Sequence, residues 1–226
     1  LMLVTDGGDR VLVHGSHTVF RYRAAPVPGP EGTPPLFTRS GYLHPLHAPN
    51  GAVVTDDFPA DHPHQRGVFF AWTKTAVGSL EPDFWNLGQG KGRIRSLTAG
   101  SGAPPGSLRA THVWEMRSGE EWAPVLDETW EVLPQAPDFT DREAAGAAYV
   151  LDLVSLQKPR VEIRLPEYRY GGMAVRGARD WMTDRKRLTV RTSEGKDLAT
   201  ADASRARWVD LSGRIGEQEA GVALLE

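Results

Sequence analysis

The chain has 226 residues, seven histidines, no cysteine and a net charge of −3, which suits one large β domain and supplies no basic field for nucleic acid or an anionic membrane. The lack of cysteine excludes disulfides, thiolate catalysis and cysteine-ligated zinc or iron–sulfur centres. No apolar run approaches the ~18–20 residues that span a bilayer, and the opening LMLVTDGGDRVLV lacks the features of a signal peptide, so a cytoplasmic location is expected.

In chain order, the elements are short β-type runs separated by Gly, Pro, Asp and Ser. Strands are predicted over 11–13, 18–22, 52–54, 68–72, 111–116, 128–133, 149–156, 161–165, 188–192, 207–211 and 221–225. In Thr111-His-Val-Trp-Glu-Met116 and Glu128-Thr-Trp-Glu-Val-Leu133, alternate residues fall on opposite faces, the mark of a half-buried strand. The 24 glycines and 17 prolines work against long helices; the Ala-rich stretch 141–149 fits a short helix or a turn. Residues 24–38, with Pro at 26, 28, 30, 34 and 35, and residues 99–107 read as loops. Strand-like sequence of one character continues on both sides of each, so a single all-β domain over 1–226 is expected, a sandwich or a barrel.

The densest chemistry lies in residues 41–72, GYLHPLHAPNGAVVTDDFPADHPHQRGVFFAW, which holds His44, His47, His62 and His64 with Asp56, Asp57, Asp61 and Arg66. Histidine titrates nearest neutrality and serves proton transfer and metal binding alike. Extended backbone would point His62 and His64 to one side, and Pro63 biases His62 that way. Gly67 lets the chain turn or approach another backbone before the next strand. Such a set suits proton transfer at His62 or His64 with Asp61 as partner, and capture of hydroxyls or an anion by Arg66. The plainer alternative is a set of histidines capping turns in a Pro-rich loop. A metal held by the His-x-His pair is a third reading, opposed by the nearby arginine. No metal and no cofactor is expected.

Phe69, Phe70 and Trp72 close the cluster, and Asp83-Phe-Trp85-Asn follows. Aromatic faces stack on the C–H faces of sugars while His, Asp, Asn and Arg bond the hydroxyls. Neighbours on a strand face opposite ways, so at least one of these aromatics belongs to the core. Asn86-Leu-Gly-Gln-Gly-Lys-Gly92 is glycine-rich without phosphate-loop spacing, and reads as a flexible loop or hairpin. Glu128 is the candidate pocket carboxylate among the strand acids, although most such residues face solvent. Tyr168-Arg-Tyr-Gly-Gly-Met-Ala-Val-Arg176 places two glycines before a strand-like run, as at a bulge or beside a ligand. No nucleophile elbow, His-Glu-x-x-His, Walker or dinucleotide fingerprint is present.

A resemblance runs through most of the chain. His44-Pro-Leu, Pro49-Asn-Gly51, Val54-Thr55, Asp61-His-Pro-His-Gln-Arg-Gly67, Phe69-Phe-Ala-Trp72 and Asp83-Phe-Trp85 come first. Gly88-Gln-Gly-Lys-Gly92, Tyr170-Gly-Gly-Met173 with Arg176, and Arg205-Ala-Arg-Trp-Val-Asp210 with Ser212-Gly213 follow. In this order they resemble the bacterial PmoA-like family, also called methane oxygenase PmoA domain proteins. The oxygenase label looks like a misnomer, because membrane methane oxygenases need transmembrane helices and a copper site. The resemblance implies an antiparallel β-sandwich similar to the galactose-mutarotase supersandwich, and a place among sugar-catabolism proteins. By that analogy His62 or His64 is the acid and Arg66 a hydroxyl ligand. The sequence departs from it in having no histidine after His112, and the family is expected to continue with further strands beyond Glu226.

The resulting expectation is a protein that binds a small-molecule carbohydrate in a groove lined by His44, His47, Arg66, Trp72, Trp85 and Glu128. Proton transfer (epimerisation or elimination) at His62, His64 and Asp61 is the expected chemistry if there is any. A non-catalytic carbohydrate-binding module and a metal-dependent enzyme stay open beside it. Neither nucleic acid nor a membrane is an expected partner, and self-association into a homo-oligomer stays open.

Overall fold

The computed structural model describes residues 1–135 and 148–226. Its strands are β1 (Met2–Asp6), β2 (Asp9–His14), β3 (His17–Tyr22), β4 (Leu43–Leu46), β5 (Val68–Ala71), β6 (Gly92–Ser101), β7 (Leu108–Ser118), β8 (Glu121–Gln135) and β9 (Val150–Pro159). β10 (Gly172–Val175), the short helix α1 (Arg179–Thr183), β11 (Leu188–Thr192), β12 (Trp208–Ile215) and β13 (Gln218–Leu225) follow. They form three antiparallel sheets, β1-β2-β3-β4-β5-β10, β6-β7-β8-β9 and β11-β12-β13. The fold is an all-β sandwich. No helix among the described residues is long and apolar enough to cross a membrane.

The six-stranded and four-stranded sheets face each other across two apolar clusters. One gathers Leu12, Phe20, Leu43, Val68, Trp130 and Val132; the other gathers Tyr42, Phe69, Phe84, Ile94 and Trp114. Each such side chain contributes about 1.5–3 kcal/mol on leaving water. The third sheet packs Leu188, Leu211 and Val222 against Trp181 of α1.

The predicted strands 11–13, 18–22, 111–116, 128–133 and 188–192 lie within β2, β3, β7, β8 and β11. Two predicted strands shrink to isolated bridges: 52–54 keeps His47–Val53, and 161–165 keeps Ala76–Arg164. Both are short runs that make only these single bridges. The strand-like run after Gly171 is β10, whereas β1, β4 and β6 went unread. β4 contains Pro45, which removes a ladder donor, and its register contacts are Phe20–Leu46, Tyr22–Leu43 and Leu43–Val68. β6 is rich in Gly, Ser and Thr, and its ten residues are set by pairing with β7. The turn 99–107 is shorter than expected because β6 runs to Ser101. Residues 141–147 of the Ala-rich stretch lie outside the described residues.

Candidate functional site

The loop carrying the histidines is closed at its base by backbone bonds. Gly67 N–H donates to Asp56 C=O (2.8 Å), Asp56 N–H to Arg176 C=O (3.0 Å) and Arg176 N–H to Gly67 C=O (2.7 Å). Between those ends the chain is not extended as the sequence suggested. His62 N–H reaches Pro59 C=O (3.1 Å), and Gln65 N–H reaches His62 C=O (2.9 Å), giving two successive turns. Pro63 occupies the second position of the latter turn, where its fixed φ is favourable. The two rings therefore meet edge to face, with centroids 5.7 Å apart.

Asp61 joins this pair to β10. One carboxylate oxygen takes His62 Nδ1 (2.8 Å) and the other takes Arg176 Nη2 (2.8 Å). A second Arg176 nitrogen donates to Gln65 Oε1 (2.8 Å). Against the opposing pull of burial, the bond to His62 and the Arg176 charge hold the Asp61 carboxyl below its ordinary range. His62 and Asp61 are each about half exposed, at 50% and 52% of their side chains, so the dyad is open to a ligand. His64 differs. Burial first, then the charges of His62, Arg39 and Arg176, push its imidazole down to about 4. It is neutral at pH 7, so it accepts hydrogen bonds there and is not the proton donor of the pair.

This gives a testable sign. Burial also lowers His44 and His47. The unfolded chain takes up protons at these groups near 6.5 while the folded chain resists, so their contribution to stability is complete above that pH and is lost as pH falls toward 4. Melting temperature is expected to drop between pH 7 and 5, and His64→Gln is expected to flatten that slope. An NMR titration of the His64 ring with a midpoint above 6 would contradict the assignment.

Arg66, read as a ligand to hydroxyls, points inward. Its side chain is 0% exposed, and its nitrogens donate to Asp57 Oδ1 (3.1 Å), the Tyr42 hydroxyl (3.2 Å), Val27 C=O (3.3 Å) and Phe37 C=O (2.6 Å). The Pro-rich loop 24–38 has few donors of its own, so this guanidinium satisfies the Phe37 carbonyl and shares the Val27 carbonyl with the Arg39 N–H. His44 pairs through Nδ1 with Thr55 Oγ1 (3.0 Å), and His47 Nδ1 is buried without a partner. Both sit on the β4 side of the loop.

Glu128 is also turned into the sandwich, 2% exposed, because its β8 register faces Gln157 and His112 across the inner sheet. Oε2 accepts from His112 Nδ1 and Trp114 Nε1 (2.9 Å each). Oε1 accepts from Trp130 Nε1 (2.7 Å), Ser155 Oγ (2.6 Å) and Gln157 Nε2 (3.4 Å). Its carboxylate is consumed within the protein. Its reach to the surface is indirect, since Gln157 Oε1 accepts the Trp72 indole N–H (2.8 Å). Trp72, half-buried, is thereby held with its ring near Gly171 and Gly172.

Residues the sequence reading did not place in the site surround Asp83. Asp83 accepts from the N–H groups of Trp85 (2.9 Å) and Asn86 (2.8 Å) and from Asn86 Nδ2 (2.7 Å), and its field reaches His64. Trp85, expected to line the groove, is 9% exposed and belongs to the core, packing on Phe69 and on the more exposed Tyr170 with centroids 4.8 and 5.4 Å apart. Beside them opens a cleft of about 280 Å³ lined by Lys74, Glu81, Asp83, Gln89, Lys91 and Tyr168. The glycine-rich run forms a 3₁₀ turn, Leu87–Gln89, entering β6. The available signal was Asp83 followed by Asn86, the short-range pattern of a side chain closing its own turn. A separate cleft of about 360 Å³ lies on the polar face of β11–β13, lined by Thr189, Arg191 and Ser212 among others.

Among the described residues no group of three His, Asp or Glu side chains is placed to hold a metal ion. No curated protein and no solved structure matches the chain. Residues 10–226 match the Family of unknown function (DUF6807), and the chain belongs to that family.

Proposed function

We propose that the protein binds a sugar or sugar derivative where the His62–Asp61 dyad, held by Arg176, and neutral His64 adjoin Asp83 and Tyr170. The observation that carries this is the His62–Asp61 bond of 2.8 Å on a half-exposed surface. With Nδ1–H directed to the carboxylate, the unprotonated form of the ring would present Nε2 as an acceptor. Nε2 then takes a proton from carbon beside a carbonyl, and Asp61 stabilises the imidazolium that forms. Aromatic and amide groups alongside suit a hydroxylated ring. The resemblance to PmoA-like proteins, and through them to mutarotase sandwiches, supports the same substrate class.

One observation favours a second reading, a binding module without turnover. The other carboxylates of the same loop are occupied, Asp57 by Arg66 and Asp56 by Arg179. A separate catalytic base is then missing from the described residues.

A panel of hexoses and 3-keto-hexoses followed by NMR in deuterated water separates the two. Deuterium uptake beside the carbonyl that falls at least a hundredfold in His62→Ala is the expected result for proton transfer, in line with the usual 10²–10⁴-fold contribution of general acid–base catalysis. Ligand-induced shifts without uptake would establish the module. Binding and uptake both unchanged in His62→Ala would place the site elsewhere.

A further inference from the structure

The cleft beside Asp83 holds two lysines whose charges are not spent inside the protein. Among the described residues neither Lys74 nor Lys91 forms an ion pair, whereas Lys196 pairs with Glu194 at 3.1 Å. Of the two acids that share the cleft, Asp83 is 8% exposed and is engaged by the N–H donors of Trp85 and Asn86. Glu81 alone is left against two ammonium groups.

Lys74 is also held in place at a cost. Its φ is +33°, a left-handed conformation rare for a residue with a Cβ. Its neighbours fix it there: Thr75 N–H donates to Pro82 C=O (3.2 Å), and the buried Thr73 hydroxyl donates to Tyr170 C=O. The Lys74 ammonium lies 5.9 Å from the Tyr168 ring centroid. Gln89 adds an amide to the same cleft. A strained backbone position thus carries one of two cations that line the same cleft.

We propose that this cleft receives an anionic group, a carboxylate or a phosphate, carried by the sugar. Lys74 and Lys91 supply the charge, and Gln89 and the Tyr168 hydroxyl supply directed donors. The sugar ring then extends along Tyr170 toward His64. This inference rests on the sugar reading above and narrows it to acidic or phosphorylated sugars. Two ammonium groups bind as point charges, so the preference is salt-sensitive.

Calorimetry with glucose, galactose, their uronic acids, their 6-phosphates and inorganic phosphate tests it. One class of charged sugar is expected to bind at least tenfold more tightly than its neutral parent, and the preferred class distinguishes carboxylate from phosphate. Lys91→Met and the Lys74→Met/Lys91→Met pair are expected to abolish that advantage at unchanged melting temperature. Lys186→Met, on the 3₁₀ turn Arg185–Arg187 outside the cleft, is expected to keep it. Equal affinity for neutral and charged sugars would overturn the inference and leave the sugar reading standing. Lysine-dependent binding of inorganic phosphate with no sugar bound would keep the anion site and overturn the sugar reading. A charged-sugar preference that survives the double substitution would overturn the assignment of Lys74 and Lys91.

Discussion

Glu128→Gln is expected to destabilise the protein by about 3–5 kcal/mol, the usual cost of removing one partner from a buried charged network. The carboxylate meets five donors and offers only acceptors. An amide has one oxygen, and its NH₂ must face N–H or O–H groups on the other side. Either His112 and Trp114, or Trp130, Ser155 and Gln157, lose their acceptor in a buried site. Urea unfolding followed by tryptophan fluorescence measures the loss, and a change below ~1 kcal/mol would show that the network carries little stability.

The pH dependence gives an independent check. Burial raises the Glu128 carboxyl, but the His112, Ser155 and Trp114 donors hold it below its ordinary range. A depressed carboxyl contributes stability above the unfolded-chain value, and that contribution fades as pH falls through the folded one. The gap between wild type and Glu128→Gln should therefore be widest at pH 7 and should narrow in acid.

Gly67→Ala is expected to cost about 3–4 kcal/mol or to prevent folding, within the range reserved for steric conflict with a fixed backbone. The residue has φ +41°, and a Cβ there would lie 1.9 Å from Leu43 C=O and 2.8 Å from the His44 Cβ. Relief by movement is closed off, because Gly67 N–H is bonded to Asp56 and its carbonyl to Arg176. Gly51→Ala is the control: φ is +87° but nothing lies within 4 Å of its Cβ, so only the left-handed cost of about 1–2 kcal/mol applies. Thermal melts of the two variants separate strain from collision. Equal losses would mean that β4 can give way.

The sequence was most legible where one face of a strand had to be buried. Trp114 and Trp130 alternate with polar neighbours, and β7 and β8 followed from that. The same alternation could not tell which face of β8 turns inward. Glu128 shares its face with Trp130, so it went into the core where solvent or a ligand had been expected. Arg66 misled for another reason. A charged residue beside a glycine in a histidine-rich loop reads as a ligand group, and only the carbonyls of Val27 and Phe37, 39 and 29 residues away, show what it serves. Asp61, His62 and His64 were legible as chemistry but not as geometry, because Pro63 favours a turn and an extended chain about equally well.

The histidine loop is contiguous in sequence, yet its fastening is remote. Arg176 contacts Gln65 and Asp61 across separations of 111 and 115 residues. Contacts that distant raise the contact order and slow folding, since the intervening chain must be ordered before they form. The dyad therefore takes its final shape only once β10 has docked on β5. In refolding experiments the His62 environment should mature with the slowest phase, after the β6–β9 sheet has already acquired its tryptophan signal.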